Sequence, residues 1–319
     1  MKKRSFLLAV VLVISMMLTG TCSLAVSADD GDFVVESGII MKYTGAGGQV
    51  ILPQNATEIA DGVFKGRTDI TCVVVSDGAV KKIGAHAFEG CTSLTGFDFG
   101  RVDEIGESAF AGCTVLGSVS CRAKKIGKDA FKGCASLKKF TLYAYSNFEI
   151  SYHAVSDCPK LETVKIQPAP KTFYLGEPVG KQIENEAFFN CPALKTVKLS
   201  SYIQYVGEKA FGYGSDENGA EQKVTDCRIL GSKDSAGEKY AVDNGFEFVD
   251  LDALGRGDVN GDKKITTADA LMALQAAVGK IQLDEVQQKA ADINVNGKIE
   301  SIDALCILHA AMDGYIDLW

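Results

Sequence analysis

Proline is scarce and unevenly placed: there are six in 319 residues, none between Pro53 and Pro159 and none after Pro192. The last stretch excludes a stiff Pro-rich spacer ahead of the C-terminal part of the chain. Histidine is scarcer still. His86, His153 and His309 lie too far apart in sequence to suggest the converging clusters that a zinc site requires. Neither a G-x-S-x-G nucleophile elbow nor a Walker loop occurs, and acid pairs such as Asp103/Glu104 fall in variable turns. No catalytic residue is assigned, and the chain is expected not to be an enzyme. Positive charge is also short, with 33 Lys and Arg against 41 Asp and Glu. The net charge of −8 argues against nucleic acid as a partner.

Only one long apolar run is present, FLLAVVLVISMMLTG at 6–20, preceded by MKKR and followed by LAVSA. This pattern reads as a secretory signal over 1–28, cleaved after Ala28. The alternatives are a membrane anchor, for which the run is short and without a stop-transfer pattern, and a lipoprotein at Cys22, where Thr19 and Thr21 replace the expected residues. Cleavage removes Lys2, Lys3 and Arg4 and no acid, taking the charge to −11. The mature chain is expected to be extracellular, with no transmembrane segment.

What fills the middle is repetition. From about 56 to 212 the phrase I-G-x-x-A-F-x-G-C-x-x-L-x-x-[VF]-x-[FIL] recurs, its Phe position held by Phe64, Phe88, Phe110, Phe131, Val155, Phe188 and Phe211. A period of 21 to 24 residues, with one interval of 33, is a solenoid signature, because no single copy can bury its own apolar residues. Ile or Val stands five before each Phe position (Ile59, Ile83, Ile105, Ile126, Ile150, Ile183, Val206). Strand pairs follow at nine and eleven, as in Val119/Cys121 and Phe140/Leu142. The phrase resembles the BspA-like leucine-rich repeats. That resemblance implies a solenoid with a parallel β-sheet, closed by an N-terminal β-hairpin cap at 32–53 and a C-terminal cap of strand, helix and strand at 227–251.

Cys91, Cys113, Cys134, Cys158 and Cys191 occupy one repeat column. Neighbouring coils lie about 4.8 Å apart, and parallel side chains suit a disulfide badly. The column reads as buried small apolar side chains with free thiols, bridges or metal being the alternatives. His86 and His153 share a column with Ser108, Asp129, Glu186 and Lys209, which reads as a solvated face. Val74, Asp98, Ser120, Thr141, Lys165 and Lys198 should face outward between the strand pairs, flanked by Lys139, Arg122, Tyr143 and Gln167. This is either a contact surface or a merely soluble one. The long interval holds QPAPKTFYLGEPVG at 167–180, whose Phe173 and Tyr174 either make contacts or fold back onto the coil.

Near the end DVNGDKKITTAD (258–269) and DINVNGKIESID (292–303) repeat in register. Each places oxygen donors at loop positions 1, 3, 5, 7, 9 and 12, the spacing by which a curled loop surrounds a hard cation. The donors are Asp258, Asn260, Asp262, the Lys264 carbonyl, Thr266 and Asp269, then Asp292, Asn294, Asn296, the Lys298 carbonyl, Glu300 and Asp303. Position 12 is Asp rather than the Glu of an EF-hand, and no helix enters the first loop. A helix follows each loop, with Leu271, Leu274 and Val278 matched 34 residues on by Leu305, Leu308 and Met312. This duplication, joined by a short helix near 284–291, resembles a type I dockerin, a small α-helical domain with two calcium loops. The implied order is repeats and caps over 29–251, a short linker over 252–257 and a dockerin domain over 258–319.

The resemblance implies two Ca²⁺ ions and a cohesin module of a scaffoldin as partner. It also implies specificity at Thr267, Ala268, Leu274, Gln275 and Gly279 in the first copy and Ser301, Ile302, Leu308, His309 and Asp313 in the second. The pairs agree only at Leu274/Leu308 and the hydroxyls of Thr267/Ser301, so one dominant orientation on cohesin is expected. The whole then reads as a non-catalytic protein, secreted and held on a cellulosome at the bacterial cell surface, displaying a repeat surface to an unknown ligand during polysaccharide degradation. The alternative is an unrecognised polysaccharide-active enzyme or enzyme inhibitor carried on the cellulosome.

Overall fold

The computed structural model describes residues 30–75, 80–144, 147–168 and 183–313. The expected signal over 1–28 and the aromatics Phe173 and Tyr174 lie outside the described residues. The chain divides into two compact units, Met1–Arg228 and Ile229–Trp319.

In the first unit each coil contributes to two parallel sheets. The Ile column makes one of them, pairing Ile40, Ile59, Ile83, Ile105, Ile126 and Ile150 in register, and single bridges carry it on to Ile183 and Val206. The residue before each Ile faces out and forms a row of alternating charge, Glu58, Lys82, Glu104, Lys125 and Glu149. Lys82 pairs with Glu58 at 2.9 Å and Lys125 with Glu149 at 3.6 Å.

The second sheet is in two pieces. Strands Gly48–Ile51, Ile70–Val74 and Gly96–Phe97 form one, and Ser118–Cys121, Lys139–Ala144, Thr163–Pro168 and Thr196–Leu199 pair in order in the other. The inward residues match coil by coil, Val119 with Phe140, Val164 and Val197, and Cys121 with Leu142, Ile166 and Leu199. Two expectations are corrected here. Val74 faces the core, at 4% exposure. The segment 32–53 is a hairpin only through Phe33–Glu36 and Ile39–Tyr43, and its last strand, Gly48–Ile51, runs parallel to Ile70–Val74 as part of a coil.

Between the sheets the Phe column stacks. Phe64, Phe88, Phe110 and Phe131 lie ring on ring with centroids 4.7 to 5.2 Å apart and planes within 10°. Phe97 and Phe99 meet this stack edge-on or tilted. Val155 interrupts the column before Phe188 and Phe211 resume it at 4.8 Å. The Gly of each I-G pair is there because the coils touch: a Cβ on Gly106 would sit 2.7 Å from the Ala85 nitrogen. A side chain at these glycines would force the neighbouring backbone to shift.

The cysteine column does more than fill space. Each thiol donates to a carbonyl of the preceding coil: Cys91 to Phe64 at 3.1 Å, Cys113 to Phe88 at 3.2 Å, Cys134 to Phe110 at 3.3 Å, Cys158 to Phe131 and Cys191 to Val155 at 3.4 Å. These carbonyls also accept a turn N–H, as in Cys91 N–H to Phe88 O at 3.1 Å. The thiol therefore takes up the second lone pair of a buried oxygen. In the first coil Arg67 replaces the cysteine, its guanidinium donating to Gly45 O and Asp69 and lying 5.0 Å from the Tyr43 ring.

All five thiols are free and buried. Burial pushes Cys91 from 9.0 up to about 11, and Cys113, Cys134 and Cys191 are raised further by burial and by neighbouring thiols. The folded coils therefore hold protons that the unfolded chain releases. The stability so gained is full below the unfolded value of 9.0 and is lost as pH rises through about 11. Denaturant midpoints of the first unit should fall over that window, and Cys113→Ala should cost about 1 kcal/mol. A flat midpoint from pH 8 to 11 would contradict the buried thiol ladder.

The residue two before each Phe position adopts a left-handed backbone in six coils: His86, Ser108, Asp129, His153, Glu186 and Lys209, with φ between 52° and 57°. This turns its N–H to the next coil, as in Ser108 N–H to Lys128 O at 2.9 Å. The histidines of the column meet carboxylates, His86 Nδ1 at 2.7 Å from Glu89 and His153 Nε2 at 3.0 Å from Glu186.

In the second unit a strand Arg228–Gly231, helix α1 (Ala236–Asn244) and a strand Glu247–Asp250 appear as expected of a closing segment. Ser235 caps α1 by accepting from Glu238 N–H, and Gly245 ends it with φ 63°. Helices α2 (Thr267–Ala277), α3 (Glu285–Ala291) and α4 (Ser301–Asp313) follow. The segment between is tied down: Gly257 N–H donates to Ala290 O at 2.9 Å, and Asp252 pairs with Lys289.

Candidate functional site: two oxygen-lined loops and an apolar groove

Both loops curl because their carboxylates collect backbone N–H groups. Asp258 accepts from Gly261 and Lys263 N–H, each at 2.9 Å. Asp269 Oδ1 accepts from Val259 and Asn260 N–H, and its Oδ2 from the N–H and hydroxyl of Thr266, all at 2.9 Å. Asn260 Oδ1 accepts from Asp262 N–H, and Asp262 Oδ1 from Lys264 N–H. Thr266 is also the N-cap of α2, accepting from Ala268 N–H at 3.2 Å, so loop closure and helix start share one residue.

The second loop repeats this. Asp303 accepts from Ile293, Asn294 and Glu300 N–H, and Asp292 from Asn296 and Gly297 N–H. Asn296 Oδ1 accepts from Lys298 N–H, Asn294 Oδ1 from Asn296 N–H, and Glu300 accepts from Asn296 Nδ2.

Asp269 and Asp303 are fully buried and Asp258 nearly so. Among the described residues no Lys or Arg pairs with any of them. A carboxylate this deep is costly without a compensating cation. Hard oxygen donors around uncompensated buried charge fit a hard divalent ion.

The loops need a left-handed residue at positions 4 and 6. The first supplies Gly261 and Lys263, with φ 80° and 67°, and the second Val295 and Gly297, with φ 58° and 82°. A β-branched residue there is strained. Val295 is 61% exposed, so little packing offsets the strain. Val295→Gly should stabilise the second unit by roughly 1 kcal/mol, read from denaturant melts; an equal loss would show that the Val side chain is needed.

Behind the loops, the core is built of small side chains: Ala270, Ala273, Ala291 and Ala304 with Val259, Ile293 and Ile307. Four larger ones on the two long helices face away. Leu271, Leu274, Ile302 and Leu305 are exposed by 42 to 54%. With Thr267, Ala270, Ser301, Ala304 and Leu308 they line one apolar groove of about 540 Å³ between α2 and α4.

The groove therefore brings together Thr267, Leu274, Ser301, Ile302 and Leu308 of the expected partner set. Ala268, Gln275, Gly279 and His309 do not line it. Asp313 is the last residue of α4. Leu271 and Leu305 were missing from the partner set although their helical spacing was visible, because spacing reveals a stripe without saying which stripe is buried.

Stacked coils of about 23 residues between two parallel sheets define a leucine-rich-repeat solenoid, here followed by a duplicated loop–helix domain. The BspA type leucine rich repeat region matches in six copies over residues 43–162 and 120–212, and the dockerin type I domain over 256–310. The chain belongs to the BspA-type leucine-rich-repeat family and carries a C-terminal type I dockerin domain. Among solved structures it is similar to a leucine-rich-repeat protein of T. pallidum, at 28% identity over 57% of this chain and 86% of that one, with a TM-score of 0.46. It is also similar to a leucine-rich cell surface protein of Faecalibacterium prausnitzii (20%, 59% and 74%, 0.31). A leucine-rich-repeat protein of Bacteroides ovatus is a third (21%, 64% and 52%, 0.39). No curated protein matches the chain.

Both matched modules are non-catalytic, and together they describe a cellulosome-type adaptor with a protein-interaction surface. Type I dockerin domains typically bind calcium and take cohesins as partners. Among the described residues no helix is long and apolar enough to cross a membrane.

Proposed function

We propose that this protein is a secreted, non-catalytic adaptor that docks onto a cohesin of a scaffoldin through calcium-loaded loops and displays its repeats at a cell-surface cellulosome during polysaccharide breakdown. The observation that carries this reading is the pair of loops in register, each with a buried, cation-free carboxylate, Asp269 and Asp303, at the start of the helices that flank one apolar groove. One ion would be held by Asp258, Asn260, Asp262, the Lys264 carbonyl, Thr266 and Asp269. A second would be held by Asp292, Asn294, Asn296, the Lys298 carbonyl, Glu300 and Asp303. Each ion would supply the positive charge that these carboxylates lack. In this reading 1–28 is a removed signal, 29–251 the repeats with their caps, 252–257 a linker and 258–319 the dockerin.

Cohesin would sit over the groove, with Leu274 or Leu308 as apolar anchor and the residues at the helix starts as rim. The two copies differ at Ala268/Ile302, Gln275/His309 and Gly279/Asp313, so one orientation should dominate. Charges placed at Thr267 and Ala268, or at Ser301 and Ile302, test this by binding to a cognate cohesin. A strong loss from one pair with near-neutrality from the other is expected. Equal tolerance of both, with loss only on combination, would mean two orientations and sink the claim.

A further inference from the structure

Four Asn–Gly steps occur in the chain, at 218–219, 244–245, 260–261 and 296–297, and the last two fall inside the oxygen-lined loops. Asparagine before glycine is prone to lose its side-chain ammonia, because no Cβ shields the glycine nitrogen as it closes on the asparagine Cγ. How the side chain is held decides whether this happens. In the first loop Asn260 Oδ1 accepts from Asp262 N–H at 2.8 Å, which folds the side-chain carbonyl over its own next peptide. The nitrogen that would attack, Gly261 N–H, donates to Asp258 Oδ1 at 2.9 Å. The amide that would leave, Asn260 Nδ2, donates to Asp262 Oδ2 at 3.1 Å.

The second loop makes the same three contacts, although its Asn–Gly step stands later in the loop. Asn296 Oδ1 accepts from Lys298 N–H at 2.8 Å, Gly297 N–H donates to Asp292 Oδ2 at 2.8 Å, and Asn296 Nδ2 donates to Glu300 Oε2 at 2.9 Å. In both loops an N–H therefore meets the oxygen on which negative charge develops during ring closure. A carboxylate meets the N–H that must lose its proton. Both asparagines are exposed, so water reaches them. The other two steps are held differently. Asn244 Nδ2 turns back along its helix to Tyr240 O at 2.8 Å, and Gly245 N–H donates to Val242 O at 3.2 Å. Asn218 is exposed between the paired strands Tyr213–Ser215 and Glu221–Lys223 of the first unit.

We propose that Asn260 and Asn296 are modification sites, at which each loop deamidates unless an ion holds it. The glycine nitrogen bonds to the asparagine Cγ, the Cγ–Nδ2 bond breaks, and the glycine proton leaves with Nδ2 as ammonia. Water then opens the cyclic imide at either of its carbonyls. One product is aspartate, which keeps the backbone and adds a carboxylate. The other is isoaspartate, which puts an extra carbon into the main chain and moves every later donor out of register with the ion. As ligands, Asn260 Oδ1 and Asn296 Oδ1 would be fixed, and neither Cγ could swing onto the glycine nitrogen. The loop fold alone gives these steps no such protection, and unravelling of the ion-free domain would free them further. The inference rests on the calcium reading above. It adds that a calcium-free domain loses its docking capacity irreversibly, by chemistry, the longer it stays unloaded.

The test is peptide mapping by mass spectrometry of the full chain, aged at neutral pH with calcium or with EGTA, with isoaspartate counted by methyltransferase labelling. Calcium at about 100 times its Kd leaves about one loop in a hundred ion-free, so deamidation of Asn260 and Asn296 should be about a hundredfold slower than in EGTA. Asn218 should deamidate at one rate in both conditions, and Asn244 should stay slow in both. On return of calcium, the helical signal should recover only in the chains free of isoaspartate. Asn260→Asp combined with Asn296→Asp should recover more than the parent after equal ageing, and Asn218→Asp should age as the parent does. The parent's own map decides the matter even where the variants fail to fold. Equal rates at Asn260 and Asn296 with and without calcium, or full recovery of helicity in chains carrying isoaspartate there, would overturn the proposal. Circular dichroism of fresh protein separates it from the reading beneath. Helicity indifferent to EGTA sinks the calcium loops and this inference together, whereas helicity that falls in EGTA while both asparagines stay intact sinks this inference alone.

Discussion

Chelating calcium should abolish the helical signal of residues 258–313 and all cohesin binding, while the repeat coils stay folded. The small domain has an alanine-rich core, and a chain of about 60 residues buries only about 60% of its unfolded surface, too little to spare a staple. Without the ion, Asp258, Asp269 and Asp303 remain buried, and among the described residues no Lys or Arg pairs with them. Asp269→Ala should come close to reproducing chelation, since it strands the N–H groups of Val259, Asn260 and Thr266 at about 1–3 kcal/mol each. Far-UV circular dichroism with and without EDTA, on the full chain, reads both effects. Unchanged helicity and unchanged cohesin binding after EDTA would refute the loop assignment.

The largest single-residue effect in the repeats is expected at Phe110. Its ring is stacked between Phe88 and Phe131 and touched from the side by Phe97 and Phe99. Phe110→Ala should therefore cost about 3–5 kcal/mol, because coils fixed by two sheets cannot collapse onto the void. Denaturant unfolding of the first unit measures it. A loss under about 1 kcal/mol would mean that the coils relax, contrary to close packing.

Much of this architecture was legible in the sequence because a solenoid imposes the same environment at the same column in every coil. The Ile column, the Phe stack and the alternating strand pairs each call for an apolar side chain at a fixed place in the coil, so period and column could be read together. The left-handed column was not legible. His86, Ser108, Asp129, His153, Glu186 and Lys209 share a backbone angle and no side-chain chemistry, so their variety looked like plain surface. The thiol ladder was half-visible: burial followed from the column, but the carbonyl that each sulfur satisfies belongs to the neighbouring coil. Val74 misled because alternation assumes that one face of a strand is wet, and here both are covered. In the second unit the loop donors followed from spacing alone. The outward turn of Leu271 and Leu305 did not, because the inward face of their helices is largely alanine (Ala270, Ala273, Ala304), which carries almost no pattern.

The row Glu58, Lys82, Glu104, Lys125, Glu149 changes sign at every coil, and that constrains how such an array can lengthen. Duplicating one coil would set two like charges on adjacent strands, whereas duplicating two adjacent coils would preserve the alternation throughout. Growth or loss of coils in this region of the gene should therefore be tolerated most readily in even steps.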